Sequence, residues 1–201
     1  MITQIARVIV DWISKERSFD GEHDELYQFA AYSLLFGMVP FFIVIVLGIL
    51  FGMLWEGITM LVPYILIRKF SGGYHVKSSS TCFFISLSVL SIALLLTRHI
   101  IEGELTDILT IVTLCAVIIL YKFSPIDSDA RKLSLKERVV FRCVARAIAI
   151  GAFIGYLGML YFEHNIIAVP IGMGINIAAL LQLPCLLRIW FRKLHNICKM
   201  V

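Results

Sequence analysis

Charged residues are scarce in this sequence. Only 16% of the 201 residues are Asp, Glu, Lys or Arg, whereas 60% are hydrophobic and the mean hydropathy is +0.91. About a quarter of the residues in a soluble domain are charged. A soluble globular fold, a disordered chain and a free nucleic-acid-binding protein are therefore poor interpretations. The composition predicts an integral membrane protein.

The sequence also lacks the usual motifs of cofactor and metal sites. It contains no GxxxxGK[ST], GxGxxG, HExxH or GxSxG segment. The five cysteines are odd in number and include no CxxC pair, so they predict neither a disulfide framework nor a zinc site. Residues 1–25 lack the apolar core of a cleavable signal peptide. We therefore expect no metal and no cofactor.

Long apolar runs predict about six membrane helices. A helix needs about 20 apolar residues to cross the bilayer core. Residues 26–67 contain one charge, Glu56, and predict two spans joined by a turn within 48–57. Further spans are predicted at 78–97, 105–121, 143–162 and 166–187. We therefore expect an all-α polytopic membrane protein with a single domain, residues 1–201.

The charges predict the orientation of these helices. If the N-terminus lies in the cytoplasm, every Lys and Arg except Arg98 falls on the cytoplasmic side, as the positive-inside rule requires. Arg146 would lie one turn into the fifth span. Both termini are then cytoplasmic: residues 1–25 as an amphipathic interfacial segment and residues 188–201 as a basic tail.

The first basic loop and the start of the third span, residues 68–82, contain the best candidates for chemistry. A cysteine protease needs a thiolate, a histidine and donors for the oxyanion. If Ser79 or Ser80 caps the third helix, Cys82 lies in its first turn, where the helix dipole favours the thiolate and backbone N–H groups are free. In an unbroken helix His75 would lie about 10.5 Å from Cys82 along the axis. The helix must therefore begin after His75.

This loop resembles the signature of the accessory gene regulator B (AgrB) family, the membrane peptidases of Gram-positive quorum sensing. The resemblance rests on Gly72-Gly73-Tyr74-His75-Val76-Lys77 followed by Cys82. The later segment 121–127, with Pro125 and Asp127, is similar to a second family segment. The length, the several spans and the amphipathic N-terminal segment also match.

The resemblance implies a reaction and a partner. Cys82 would take the upstream part of a small AgrD-like signal propeptide as an acyl thioester, with His75 as base and acid. A cysteine or serine of the peptide would then close a thiolactone or lactone, the autoinducing peptide. The resemblance also suggests a homodimer in the bacterial cell membrane, with its active site at the cytoplasmic face. No nucleic acid is expected to bind.

Family propeptides end in an acidic tail, which a basic cytoplasmic face would attract. Topology and anionic lipids explain most of these basic residues equally well. We consider Arg68 and Lys69 the best candidates for contact with the tail, and Asp127 a candidate for orienting His75. The candidate substrate-binding residues are therefore Arg68, Lys69, Gly72, Gly73, Lys77 and Asp127.

Two other functions are compatible with parts of the sequence. Six helices could form the pathway of a peptide exporter, although no internal repeat is visible. Asp127 and Asp129 resemble the acidic motifs of Mg-dependent membrane phosphotransferases, which need several carboxylates around the cation. The polar residues Asn176 and Gln182, at membrane depth, either have a function or tie helices together.

Overall fold

The computed structural model describes residues 24–72, 79–103, 105–126 and 135–187, which fold into helices without any β-strand. Hydrophobic helices are the expected solution, since lipid offers no hydrogen bonds to an unpaired backbone. The six described helices are α1 (Asp24–Phe51), α2 (Leu54–Ser71), α3 (Ser79–Glu102), α4 (Thr106–Phe123), α5 (Leu135–Tyr161) and α6 (Asn165–Leu180).

Four of these helices are long and apolar enough to cross a membrane, which makes the chain a membrane protein. The four segments are Phe83–Glu102, Thr106–Phe123, Lys136–Tyr161 and Asn165–Leu187. Helix α2 has 18 residues but carries three charges, Glu56, Arg68 and Lys69. In α1 the apolar part with described side chains is Met38–Phe51. The six helices match the six predicted spans in order, whereas six crossings and cytoplasmic termini stay predictions.

The first two helices are separated by a tight turn at Gly52 and Met53, within the predicted interval 48–57. Gly52 has φ +67°, and the Met53 N–H donates to the Gly48 carbonyl oxygen at 2.7 Å. Glycine suits this position because other residues rarely adopt a positive φ. Helix α1 ends by this turn rather than at Pro40, which lies inside it.

The chain divides into two compact units, residues 1–43 and residues 44–201. The described part of the first unit is the beginning of α1. In the second unit α6 is the central helix and packs against α2, α3, α4 and α5. Its span is 61% buried, whereas the spans of α3, α4 and α5 are 17–28% buried. The single-domain assignment stays a prediction.

Small residues let α6 approach its neighbours closely. A Cβ on Gly174 would overlap the Met60 carbonyl oxygen of α2 and lie 2.7 Å from Pro63 Cγ. A Cβ on Gly172 would lie 2.9 Å from the Tyr156 ring of α5. Membrane helices associate through such close packing because lipid supplies no hydrophobic force between them. The two glycines therefore set the spacing of α2, α5 and α6.

The outer surface of the second unit is apolar. Leu50, Trp55 and Ile111 are each at least 65% exposed. Continuous apolar surface of this kind is unfavourable in water and is the expected lipid-facing surface of a membrane protein.

Helix α5 begins eight residues earlier than the predicted start of the fifth span, at Leu135 instead of Cys143. The added segment, 135–142, is rich in charged residues, so hydropathy cannot identify it as helix. Arg146 consequently lies three turns into α5, and the expectation that it lies one turn into the helix was wrong. It is accommodated by α4: its Nε donates to the Tyr121 carbonyl oxygen at 2.9 Å, and its guanidinium lies 4.2 Å from the Tyr121 ring centroid.

Candidate functional site

The C-terminal ends of α2, α4 and α6 meet at one end of the second unit. Ser71 is the last residue of α2, Ser124 directly follows α4, and Gln182 lies two residues after α6. All three side chains are buried, with exposed fractions of 0%, 3% and 0%. We call these three residues the helix-end cluster. Polar side chains at such depth must find partners among themselves or on the backbone.

Gln182 holds the helix-end cluster together. Its Nε2 donates to the Ser71 carbonyl oxygen at 3.1 Å and to the Ser124 hydroxyl oxygen at 3.0 Å. Both amide hydrogens are therefore used. The Gln182 Oε1 is buried and has no hydrogen-bond partner among the residues that the structure describes. The cluster thus joins the last helix to the ends of two earlier ones.

The backbone extends this junction to the two segments that leave α2 and α4. The Ile126 N–H donates to the Ser71 carbonyl oxygen at 3.0 Å, and Gly72 and Ile126 form an isolated parallel bridge. Between Ser124 and Ile126 lies Pro125, whose peptide bond is cis. The Ser71 carbonyl therefore accepts two hydrogen bonds, one from Ile126 and one from Gln182.

Gly72 is required by the geometry of this bridge. Its φ is +72° and its ψ is −158°, a conformation that side chains with a Cβ rarely adopt. A Cβ at this position would also overlap the carbonyl oxygen of Ile126. The structure thus gives Gly72 a conformational role, whereas its predicted contact with substrate stays a prediction.

Contacts between aromatic rings connect the same end of the unit to α5. The rings of Phe70 and Phe141 lie 5.7 Å apart, and the ammonium of Lys69 lies 5.8 Å from the Phe70 ring. The Phe70–Phe141 contact connects α5 to the end of α2, and the Arg146 contact to Tyr121 connects α5 to the end of α4. The two basic loops predicted to be cytoplasmic therefore start at the same end.

The structure brings together the two sequence segments that carry the resemblance. Gly72 opens the segment that leads to His75, and Ile126 directly precedes Asp127. Their backbones are paired at Ser71, Gly72 and Ile126. Two segments that are 54 positions apart in the sequence thus leave the bundle side by side.

The described residues include part of the predicted site. Arg68 and Lys69 lie in the last turn of α2, where Lys69 is exposed and Arg68 is partly buried. Cys82 is the fourth residue of α3 (Ser79–Glu102), and the expected start of this helix after His75 stays a prediction because residues 73–78 lie outside the described part. The side chain of Cys82 lies outside the described part of the structure. Four further predicted residues lie outside it entirely: Gly73, His75, Lys77 and Asp127.

Ser71 and Ser124 are members of this junction that the sequence analysis missed. Both adjoin the motifs, but they contribute through a carbonyl oxygen and through a hydroxyl buried against an amide. Serine is common at helix ends, so its presence there carries little information. Gln182 was recognised only as a polar residue at membrane depth. Asn176, the other such residue, joins α6 to α4 through the Thr113 hydroxyl at 3.0 Å.

A separate groove of about 530 Å³ lies between α3, α4 and α6. Asn176 and Cys115 are its polar or reactive residues, and the other lining residues are apolar. Such a groove suits hydrocarbon rather than peptide chemistry. Across the described ranges, no group of three or more His, Cys, Asp or Glu residues could hold a metal ion. Asp127 and Asp129, the residues of the phosphotransferase alternative, lie outside these ranges.

Comparisons with known proteins agree with the resemblance. AgrB-like protein 2 of Clostridium perfringens strain 13 is 23% identical over 172 residues, which are 82% of this chain and 80% of the relative. An AgrB-like protein of C. perfringens strain SM101 is 24% identical over 82% of this chain and 80% of its own length. AgrB-like protein 1 of strain 13 is 24% identical over 86% of this chain and 90% of its own length.

These names express likeness to a family and state no activity. No solved structure matches the chain. The family profile described as accessory gene regulator B matches residues 6–184, a range that includes all six described helices. The chain therefore belongs to the accessory gene regulator B family.

Proposed function

We propose that this protein is a membrane cysteine endopeptidase that removes the C-terminal tail of a small AgrD-like propeptide and allows the remainder to cyclise. The observation that supports the proposal is the pairing of Gly72 with Ile126, because Gly72 lies three residues before His75 in the sequence and Ile126 directly precedes Asp127. Membership of a family implicated in quorum-sensing peptide processing supplies the reaction class.

The position of Cys82 supports its role as the nucleophile. It is the fourth residue of α3 as described, and His75 precedes this helix in the sequence by four positions. The first N–H groups of a helix have no acceptor within it and can stabilise an oxyanion. The positive end of the helix dipole favours a thiolate there. An ordinary buried membrane cysteine would have neither advantage.

The reaction proceeds in two balanced steps. The Cys82 thiolate attacks the carbonyl carbon of the scissile peptide bond, and the resulting oxyanion is held by N–H groups. The C–N bond breaks as His75 gives its proton to the leaving amine, which leaves an acyl thioester on Cys82. A thiol or hydroxyl of the peptide then attacks that thioester, gives its proton to His75 and releases the Cys82 thiolate with the cyclic product.

The charges at the helix ends suit the released tail. Lys69 is exposed and Arg68 precedes it, at the C-terminal end of α2. In the sequence, Lys77 follows Gly72 by five positions and Asp127 directly follows Ile126. We propose that Arg68, Lys69 and Lys77 attract the acidic tail, that Gly73 gives the loop room to turn, and that Asp127 orients His75. The site faces the cytoplasm in the orientation given by the positive-inside rule, and the protein functions as a homodimer in the bilayer.

Substitution of the nucleophile tests this function. A small AgrD-like propeptide with an acidic C-terminal tail is co-expressed with the protein, and its cleavage is followed by mass spectrometry. Cys82→Ser, Cys82→Ala and His75→Ala are expected to lower cleavage by at least about 100-fold, because each removes a group that acts in the transition state. Cys143→Ala is the matched control: it removes an exposed free thiol of α5 and should leave cleavage unchanged.

The alternatives predict other results. A peptide exporter would leave the propeptide uncut with or without Cys82, and only the side on which it accumulates would change. A Mg-dependent phosphotransferase would need added Mg²⁺ and would lose activity in Asp127→Asn. Retained cleavage in Cys82→Ala would refute the peptidase proposal.

A further inference from the structure

Gln182, two residues after the end of α6, differs from Asn176 within α6 in the groups to which it donates hydrogen bonds. Asn176 makes a hydrogen bond from one helix to another, through Thr113 of α4. Gln182 instead contacts the residues at which α2 and α4 end, Ser71 and Ser124. A residue whose only role was to join helices by hydrogen bonds could equally occupy a position one or two turns earlier, within α6. The position of Gln182 is explained by the segments that begin beside it.

The hydrogen bonds of Gln182 fix the direction in which both segments leave their helices. The Ser71 carbonyl oxygen accepts from Gln182 and from Ile126, so both of its lone pairs are used. Rotation of this peptide plane would break two hydrogen bonds and change the positive φ of Gly72. Gly72 is three residues before His75, and Ile126 directly precedes Asp127. Small errors in this plane would therefore move the residues that follow.

The acceptor side of the same amide carries a cost. The Gln182 side chain is fully buried, and its Oε1 lacks a hydrogen-bond partner within the described ranges. An apolar residue of similar size would avoid this cost, because burying an amide oxygen without a donor is unfavourable. The cost is incurred at the point where the two motif segments diverge from the bundle. The Asn176 Oδ1 is also buried without a partner within the described ranges, so the hydrogen-bond partners of Gln182, rather than this cost, distinguish it from Asn176.

We propose that Gln182 is a positioning residue of the peptidase site. Its amide holds the start of the His75 segment against the start of the Asp127 segment, and so places His75 where it can exchange a proton with Cys82. This inference rests on the proposed function. Gln182 touches neither the substrate nor the reacting atoms in this scheme; it acts through the backbone at Ser71 and through the Ser124 hydroxyl.

The reactivity of the Cys82 thiol provides the test. In a parent protein with Cys115, Cys143, Cys185 and Cys198 replaced by alanine, iodoacetamide can alkylate only Cys82. The rate is measured as a function of pH in detergent-solubilised full-length protein. We expect the parent to react at lower pH than a free thiol, and His75→Ala to shift the profile to higher pH. We expect Gln182→Met, an isosteric change, to shift the profile in the same direction and to lower cleavage by about 100-fold, since misplacement of about 1 Å has such an effect.

Asn176→Leu is the matched control because it removes an amide of α6 whose hydrogen bond goes to α4 and not to the residues at which α2 and α4 end. It should destabilise the protein but leave the alkylation profile and the cleavage rate per folded molecule unchanged. If Gln182→Met does not insert into the membrane, Ser124→Ala takes its place in the test. This variant removes the Ser124 hydroxyl that accepts a hydrogen bond from Gln182 and leaves the hydrogen bond to the Ser71 carbonyl oxygen. Its profile should shift by less than that of His75→Ala.

The proposal is overturned if the folded variant, Gln182→Met or in its place Ser124→Ala, keeps the profile and cleavage rate of the parent. It is equally overturned if Asn176→Leu shifts the profile as much as Gln182→Met does. These outcomes are distinct from failure of the proposed function, in which the parent itself shows no dependence on His75 and Cys82→Ala still cleaves.

Discussion

Substitution of Gly72 by alanine should be far more damaging than its small size suggests. Gly72 combines φ +72° and ψ −158° with a position directly against the Ile126 carbonyl oxygen. An L-residue in this region of backbone space costs about 1–3 kcal/mol. Displacing a packed neighbour to make room costs about another 1–3 kcal/mol. We therefore expect Gly72→Ala to lower the free energy of unfolding by about 2–6 kcal/mol.

Two other glycines separate these contributions. Gly52 has φ +67°, and a Cβ there would meet no atom within 4 Å, so Gly52→Ala should cost only the backbone strain, about 1–2 kcal/mol. Gly151 lies inside α5, and its Cβ would also meet no atom within 4 Å. Gly151→Ala should be neutral or slightly stabilising, because alanine favours a helix over glycine by up to about 1 kcal/mol.

The measurement is thermal unfolding of the three variants in one detergent, followed by circular dichroism, together with propeptide cleavage below the unfolding temperature. We expect Gly151→Ala to be the most stable of the three variants, Gly52→Ala to be less stable and Gly72→Ala to be the least stable. Gly72→Ala should also lose cleavage while still folded, whereas Gly52→Ala should not. If Gly72→Ala unfolds at the temperature of Gly52→Ala and cleaves normally, the bridge to Ile126 does not position the loop.

Two further predictions concern the helices and their orientation. Tyr156→Phe should lower the free energy of unfolding by about 0.6–1.7 kcal/mol in a thermal or denaturant assay, because it removes the 2.7 Å hydrogen bond to the Thr110 hydroxyl, which keeps its bond to the Thr106 carbonyl oxygen. Tyr161→Phe, at an 83% exposed position, should change stability little. Equal losses in the two variants would show that the Tyr156–Thr110 hydrogen bond does not stabilise the bundle. The predicted orientation can be tested in a cysteine-free background with a membrane-impermeant maleimide. Gly103→Cys should react on intact cells, and Lys136→Cys should react only after permeabilisation. The reverse pattern would show that the predicted orientation is inverted.

The sequence was sufficient to predict the helices but not all of their ends. Hydropathy located every break between helices, including the turn at Gly52, because lipid requires long apolar runs. The predicted end of the third span lies inside α3, and the predicted start of the fifth span lies inside α5. Helix α3 continues to Glu102, whose carboxylate pairs with Arg98 at 3.3 Å one turn earlier. Polar turns of this kind extend a helix beyond its apolar run, and hydropathy does not detect them.

The candidate site residues were chosen from their side chains and stay predictions, whereas the backbone junction beside them was not predicted. The spacing of His75 and Cys82 predicts a helix that starts between them, and the described part of α3 begins at Ser79. The junction at Ser71 depends on carbonyl oxygens and N–H groups, which every residue carries. The residue types at positions 71 and 126 do not indicate whether their backbone groups are paired. Gln182 was visible as a polar residue in an apolar run, but its partners lie 111 and 58 positions away.

The central position of α6 also determines the order in which the bundle can be completed. Helices α2 to α5 leave the ribosome first, yet the helix that contacts all four is the last of the described helices to be synthesised. Until α6 enters the bilayer, the surfaces that Gly172 and Gly174 will cover have only lipid against them. Since Gln182 follows α6, its hydrogen bonds to Ser71 and Ser124, which join the ends of α2 and α4, cannot form before residue 182 has been synthesised. A nascent chain that has not yet reached this residue would thus lack the junction that we propose positions His75.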